Sequence, residues 1–124
     1  KKLVCYDIRR KPQIDELARL ANGTEFEFHQ QSTLEADIEP TDMLFVDDLH
    51  TYAQVQAELN LHAAKVRKYM FFHDTETLAK HGENGCTRGI KTAIDEFLRE
   101  HDEWRIINML ANNNGLLGLV RLNT

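Results

Sequence analysis

Cysteine, proline, glycine and tryptophan are all scarce in this chain of 124 residues, and each scarcity excludes a class of protein. There are two cysteines, two prolines, six glycines and one tryptophan. Cys5 and Cys86 lie far apart and neither belongs to a Cys-x-x-Cys pair, which argues against a disulfide framework or a zinc-thiolate site. So few prolines and glycines leave no room for a low-complexity tract or a flexible linker. No run of about 18 apolar residues occurs, so no membrane span is offered. The opening Lys1-Lys2-Leu3-Val4-Cys5-Tyr6-Asp7 turns polar too early for a signal peptide. Positive charge is also in short supply. Twenty acids against fifteen Lys and Arg give a formal charge of −5, the wrong sign for a protein that lives on nucleic acid. The expectation is a cytoplasmic domain with reduced thiols, no membrane partner and no nucleic-acid partner.

What is present is a 42% hydrophobic fraction and 28% charged residues, enough for one modest core. A single domain over residues 1–124 is expected. Periodicity alternates between strands and helices along the chain. Leu3 to Asp7 reads as a strand. Pro12 opens a helix with Ile14, Leu17, Ala18 and Ala21 on one face, and Asn22-Gly23 stops it. Phe26 to His29 is a second strand. Met43-Leu44-Phe45-Val46 is a third, apolar at consecutive positions as in strands covered on both faces. A long helix then carries Tyr52, Val55, Leu59 and Val66 along its buried side, and Tyr69 to Phe72 is the fourth strand. Residues 75–88 form a long connection. The next helix carries Ile90, Ile94, Phe97, Leu98 and His101. Trp104 to Leu110 and Leu116 to Leu122 flank the turn Asn112-Asn113-Asn114-Gly115, whose Asn-Gly pair suits an antiparallel hairpin. This pattern predicts an α/β fold with a doubly wound, mostly parallel sheet.

In such sheets ligands bind beyond the carboxyl ends of the strands, and those ends are loaded with polar groups. The first ends at Asp7, the second at Gln30-Gln31-Ser32, the third at Asp47-Asp48 with His50 beyond, and the fourth at His73-Asp74. If the third and fourth strands are neighbours, Asp47 and Asp74 stand roughly 5 Å apart. Two carboxylates so close repel unless a cation or shared proton lies between them. Oxygen donors alone favour Mg²⁺ or Ca²⁺, and adding His50 or His73 turns the preference toward Mn²⁺, Fe²⁺ or Zn²⁺. The competing reading has Asp47 capping the following helix and Asp74 capping a loop. His50 and His73 are the histidines at this rim, and either imidazole is a candidate base. His62 and His101 read as structural or solvated, His81 as solvent-exposed, and His29, at a strand end, as able only to support a neighbouring group. Asp7, at the end of an early strand, suits a ribose diol, though it also sits beside Arg9, Arg10 and Lys11 as a neutralising charge.

These residues resemble the class I S-adenosylmethionine-dependent methyltransferases, and in particular a metal-dependent O-methyltransferase subset. The resemblance is carried by Leu44-Phe45-Val46-Asp47-Asp48-Leu49-His50-Thr51-Tyr52 and Phe71-Phe72-His73-Asp74-Thr75. Gly89-Ile90, Ala93 to Leu98, Trp104-Arg105 and Asn113-Asn114-Gly115-Leu116 follow in the family's order. The resemblance implies a Rossmann-like fold in which Asp7 holds the cofactor ribose, Gln31 and Ser32 border the adenine, and Asp47 lies at the cofactor site. It also implies that Asp47 and Asp74 are ligands for Mg²⁺ or Mn²⁺ and that His50 lies near the reacting hydroxyl. Two departures stand out. Asp48 replaces the family's usual glycine, and the glycine-rich first strand and turn have no counterpart, as in an N-terminally truncated chain.

Three functional readings follow. The first is methyl transfer to a hydroxyl of a small molecule or sugar, assisted by a divalent cation. The second is a non-catalytic protein of the same fold that has lost cofactor binding, for which a homodimer completing the sheet is expected. The third, a phosphoacceptor receiver domain, fits length and alternation. It fails on the position of the acid pair and on the lack of a suitably placed lysine.

Overall fold

The computed structural model describes residues 1–123. The strands separate into two sheets, and the chain into two compact units, Lys1–Asp37 and Ile38–Thr124.

In the first unit, β1 (Lys2–Asp7) and β2 (Glu25–Gln30) pair in parallel, with Asp7 opposite Gln30 at the carboxyl end. Between them runs α1 (Gln13–Leu20), entered through Pro12 at φ −55°, the angle the pyrrolidine ring imposes. Gly23 at φ +77° turns the chain back toward β2. The helix forms where the spacing predicts it, but its apolar face is not buried. Leu17 is 50% exposed and Leu20 is 70% exposed. Two paired strands offer little surface for a helix to cover.

The second unit holds a four-stranded sheet in the order β3-β4-β6-β5, made of β3 (Thr41–Val46), β4 (Val66–His73), β5 (Trp104–Leu110) and β6 (Leu116–Arg121). β3 and β4 are parallel neighbours. β6 runs antiparallel to both β4 and β5, so the hairpin expected from Asn-Gly is present. Helices α2 (Tyr52–His62) and α3 (Ile90–Glu100) pack on one face of this sheet. Val55 and Leu59 of α2 and Ile90, Ala93, Ile94 and Phe97 of α3 meet Met70, Phe72, Trp104, Leu117 and Leu119 in one buried cluster. Each large side chain in it contributes roughly 1.5–3 kcal/mol by leaving water.

Two expectations need correction. The third strand is not covered on both faces. Strand side chains alternate, so Leu44 and Val46 pack against the core while Met43 and Phe45 are each 54% exposed. Val66 is not on the helix. α2 ends at His62, a tight 3₁₀ turn spans 63–65, and Val66 opens β4 with its side chain fully buried. Its apolar character fits either element. Among the described residues, no helix is long and apolar enough to cross a membrane, and both cysteines are free.

Candidate active site at the carboxyl ends of β3 and β4

Val46 pairs with Phe72 in the parallel ladder, so the residues that follow, Asp47 on one strand and His73-Asp74 on the other, emerge side by side. Asp74 turns out of the strand at φ +56°, a left-handed conformation that Asp tolerates better than bulkier residues. The loop it begins is tied down twice. The Asp74 carbonyl accepts the Leu78 N–H at 3.0 Å, and the Asn114 carbonyl accepts the N–H groups of Glu76 and Thr77 at 2.9 and 3.1 Å. Asn114 lies in the β5–β6 turn, and its side-chain Oδ1 also accepts the Thr77 hydroxyl at 3.1 Å. Gly115, at φ +101°, lies so close that a Cβ there would stand 2.4 Å from the Glu76 nitrogen. The hairpin turn therefore braces the loop that carries Asp74.

His50 enters from the other side. Thr51 caps α2, its Oγ1 accepting the Gln54 N–H at 3.2 Å, so neither Asp47 nor His50 is spent on capping. The His50 ring is 12% exposed, with Nε2 at 3.0 Å from Asp74 Oδ2 and 3.2 Å from Asp47 Oδ1. Its Nδ1 lies 2.8 Å from Glu83 Oε1. His73 joins at the edge, with Nδ1 3.3 Å from both Asp47 Oδ1 and Asp74 Oδ1. Burial of the His50 ring disfavours its charged form. The hydrogen bond to Glu83, the Asp74 charge and the bond to Asp47 more than offset this, so its pKa lies above the ordinary histidine value.

One donor atom each from Asp47, His50 and Asp74 lies within 4.8 Å of the others. Two carboxylate oxygens and one imidazole nitrogen within that reach suit a divalent cation, and the imidazole turns the preference from Mg²⁺ toward Mn²⁺, Fe²⁺ or Zn²⁺. Asp48 takes no part in this set. Its Oδ2 accepts from Gln54 Nε2 at 2.9 Å, and the same amide donates to Glu58 Oε1 at 3.2 Å, which turns Asp48 toward α2.

The adenosine-side candidates lie together in the first unit. Asp7 Oδ1 accepts the Arg9 N–H at 2.8 Å, while its Oδ2 receives no hydrogen bond from the described residues. An acid held in place with one oxygen open fits a ribose diol. Gln31 and Ser32 follow in a local turn, where Gln31 Nε2 donates to the Glu35 carbonyl and Ser32 Oγ accepts the Leu34 N–H. The other histidines are elsewhere. His29 stacks on Tyr6, His101 stacks on Phe97, His62 is buried on α2 and His81 is exposed. Glu83 was not foreseen. It lies in the polar turn Gly82-Glu83-Asn84-Gly85, whose glycines announced a loop and gave no sign of its partner.

The element order and the antiparallel hairpin match the class I S-adenosylmethionine-dependent methyltransferase fold, and solved structures agree. A protein from Corynebacterium glutamicum superposes with a TM-score of 0.75 at 17% identity, over 100% of this chain and 62% of its own length. The N-methyltransferase NodS from Bradyrhizobium japonicum gives 0.67 at 13% identity, over 98% of this chain and 74% of its own. Magnesium protoporphyrin IX methyltransferase from Synechocystis, solved with S-adenosylhomocysteine bound, gives 0.62 at 15% identity, over 95% of this chain and 63% of its own. The chain thus spans about three fifths of the first of these structures. No protein-family profile matches the sequence, and no curated protein does.

Proposed function

We propose that the chain carries the site of a methyltransferase acting on a hydroxyl of a small molecule or sugar, with a divalent cation held by Asp47, His50 and Asp74. The observation that carries this reading is the convergence of those three side chains at adjacent strand ends in a methyltransferase fold. Asp7 would accept the ribose hydroxyls of the cofactor, with Gln31 and Ser32 beside the adenine. S-adenosylmethionine, when bound, would supply a methyl group activated as a sulfonium, with a thioether as its leaving group. A bound cation supplies a Lewis acid that lowers the pKa of the substrate hydroxyl.

The chain's own groups then orient the acceptor and take its proton. His50 has both ring nitrogens turned to carboxylates, so it suits a ligand better than a base. His73 Nδ1 lies 3.3 Å from both Asp47 Oδ1 and Asp74 Oδ1, and no described residue bonds its Nε2. We assign the hydroxyl proton to the His73 imidazole, which stands at the same rim. Positioning provides most of the remaining rate enhancement, since a sulfonium methyl needs little further activation.

Calorimetric titration of the chain with S-adenosylhomocysteine, with and without Mn²⁺, tests the proposal. Micromolar binding is expected. No binding under either condition favours the non-catalytic reading.

A further inference from the structure

Glu83 holds His50 at two points. Its backbone N–H donates to the His50 carbonyl at 2.9 Å, and its Oε1 lies 2.8 Å from the His50 Nδ1. The turn that presents Glu83 is itself closed tightly. Gly82 N–H donates to the Cys86 carbonyl and Cys86 N–H donates to the Glu83 carbonyl, both at 3.2 Å. Asn84 and Gly85 both adopt positive φ. Gly82 sits so near the 50–51 backbone that a Cβ would stand 2.8 Å from the His50 carbonyl oxygen and 3.1 Å from the Thr51 Cα. Only a residue without a side chain lets the turn come this close.

An ionised carboxylate accepts hydrogen bonds and donates none. Facing Glu83, the His50 Nδ1 therefore carries a proton; Nε2, which points between Asp47 and Asp74, carries one by the same rule while only carboxylates face it, and gives that proton up to a bound cation. We propose that Glu83 is a positioning residue that fixes His50 as the Nδ1–H tautomer and aims Nε2 at a divalent cation as its third protein ligand. This rests on the cation reading given above. A histidine ligand that donates its second N–H to a carboxylate is both oriented and made a better donor, and losing such a partner typically costs about 10–100-fold in metal affinity.

The test is titration of the full chain with Mn²⁺ alone, for the wild type, Glu83→Ala and Glu83→Gln. Glutamine keeps a neutral acceptor for Nδ1–H, and alanine removes it while leaving the backbone bond to His50. The expected result is binding about 10–100-fold weaker in Glu83→Ala, with Glu83→Gln much closer to the wild type. Wild-type affinity in Glu83→Ala overturns the positioning role and leaves the cation reading in place. Equal losses in both variants also overturn it, because charge and not orientation would then be responsible. A wild type that binds no Mn²⁺ overturns the cation reading and this inference together. Side-chain NMR of the His50 ring nitrogens in the Mg²⁺-loaded wild type gives an independent decision should Glu83→Ala fail to fold. A proton on Nδ1 is expected, and a proton on Nε2 overturns the proposal.

Discussion

Asp74 Oδ2 stands 3.0 Å from His50 Nε2, and each residue reaches that meeting by a different device. Asp74 leaves β4 in a left-handed turn braced by Asn114, while His50 is placed just before the Thr51 cap of α2. The contact thus joins two loops whose positions are set by secondary structure.

Asp74→Asn separates charge from shape at this point. Asparagine tolerates positive φ as well as aspartate does, so the fold should survive and the melting temperature should stay close to the wild type. Mn²⁺ affinity should fall by at least about 100-fold, above the loss typical of an outer partner. Calorimetry read beside thermal melts checks both halves. Unchanged Mn²⁺ affinity would remove Asp74 from the ligand set.

The parts of this site that depend on periodicity were legible in the sequence, and the part that depends on a loop was not. Asp47 directly follows one apolar run and Asp74 follows the other after His73, so pairing of the two strands was enough to bring them together. The Asn-Gly turn named its own hairpin, because positive φ at those positions requires such residues. Glu83 followed no period. It reaches His50 through two glycines and a left-handed asparagine that set a path no pattern records. Val66 was misplaced for the opposite reason. It sits seven residues after Leu59, which is helical spacing, yet the 3₁₀ turn at 63–65 ends the helix first. Met43 and Phe45 mislead in a third way, since consecutive apolar residues do not reveal whether a second layer covers the strand.

Gly115→Ala probes the brace beneath Asp74. The substitution combines φ +101° with a Cβ 2.4 Å from the Glu76 nitrogen, so the 74–77 loop or the hairpin turn must shift. Backbone strain of this kind costs about 1–3 kcal/mol. Denaturant unfolding should show a loss of that order, accompanied by weaker Mn²⁺ binding. A stable variant with normal Mn²⁺ affinity would show that the hairpin does not position Asp74.

Glu96 links stability to pH away from the site. The Tyr52 hydroxyl donates to Glu96 Oε2 at 2.5 Å, Arg88 pairs with the same carboxylate, and the Arg88 guanidinium lies 3.7 Å over the Tyr52 ring. The Tyr52 hydrogen bond, aided by Arg88, holds the Glu96 carboxyl below its ordinary range. A depressed carboxylate pKa stabilises the folded state above the unfolded value of about 4.5, and that contribution fades as pH falls through the folded value. The gap in melting temperature between the wild type and Tyr52→Phe should therefore be constant above about pH 5 and shrink below about pH 4. A gap that does not change with pH would show that the pair adds packing alone.

Asp7→Asn distinguishes the cofactor side from the cation side. Asn keeps an Oδ1 to accept the Arg9 N–H, so the local turn should persist, but the open acceptor loses its charge. A hydrogen bond to a charged group is worth about 1.5–3 kcal/mol, so S-adenosylhomocysteine affinity should drop about 10–100-fold. Mn²⁺ affinity measured without that ligand should not change, because Asp7 lies outside the proposed ligand set. Loss of both affinities in Asp7→Asn would mean the substitution damages the fold. Loss of neither would place the ribose elsewhere, and the resemblance that assigned it to Asp7 would fail at that residue.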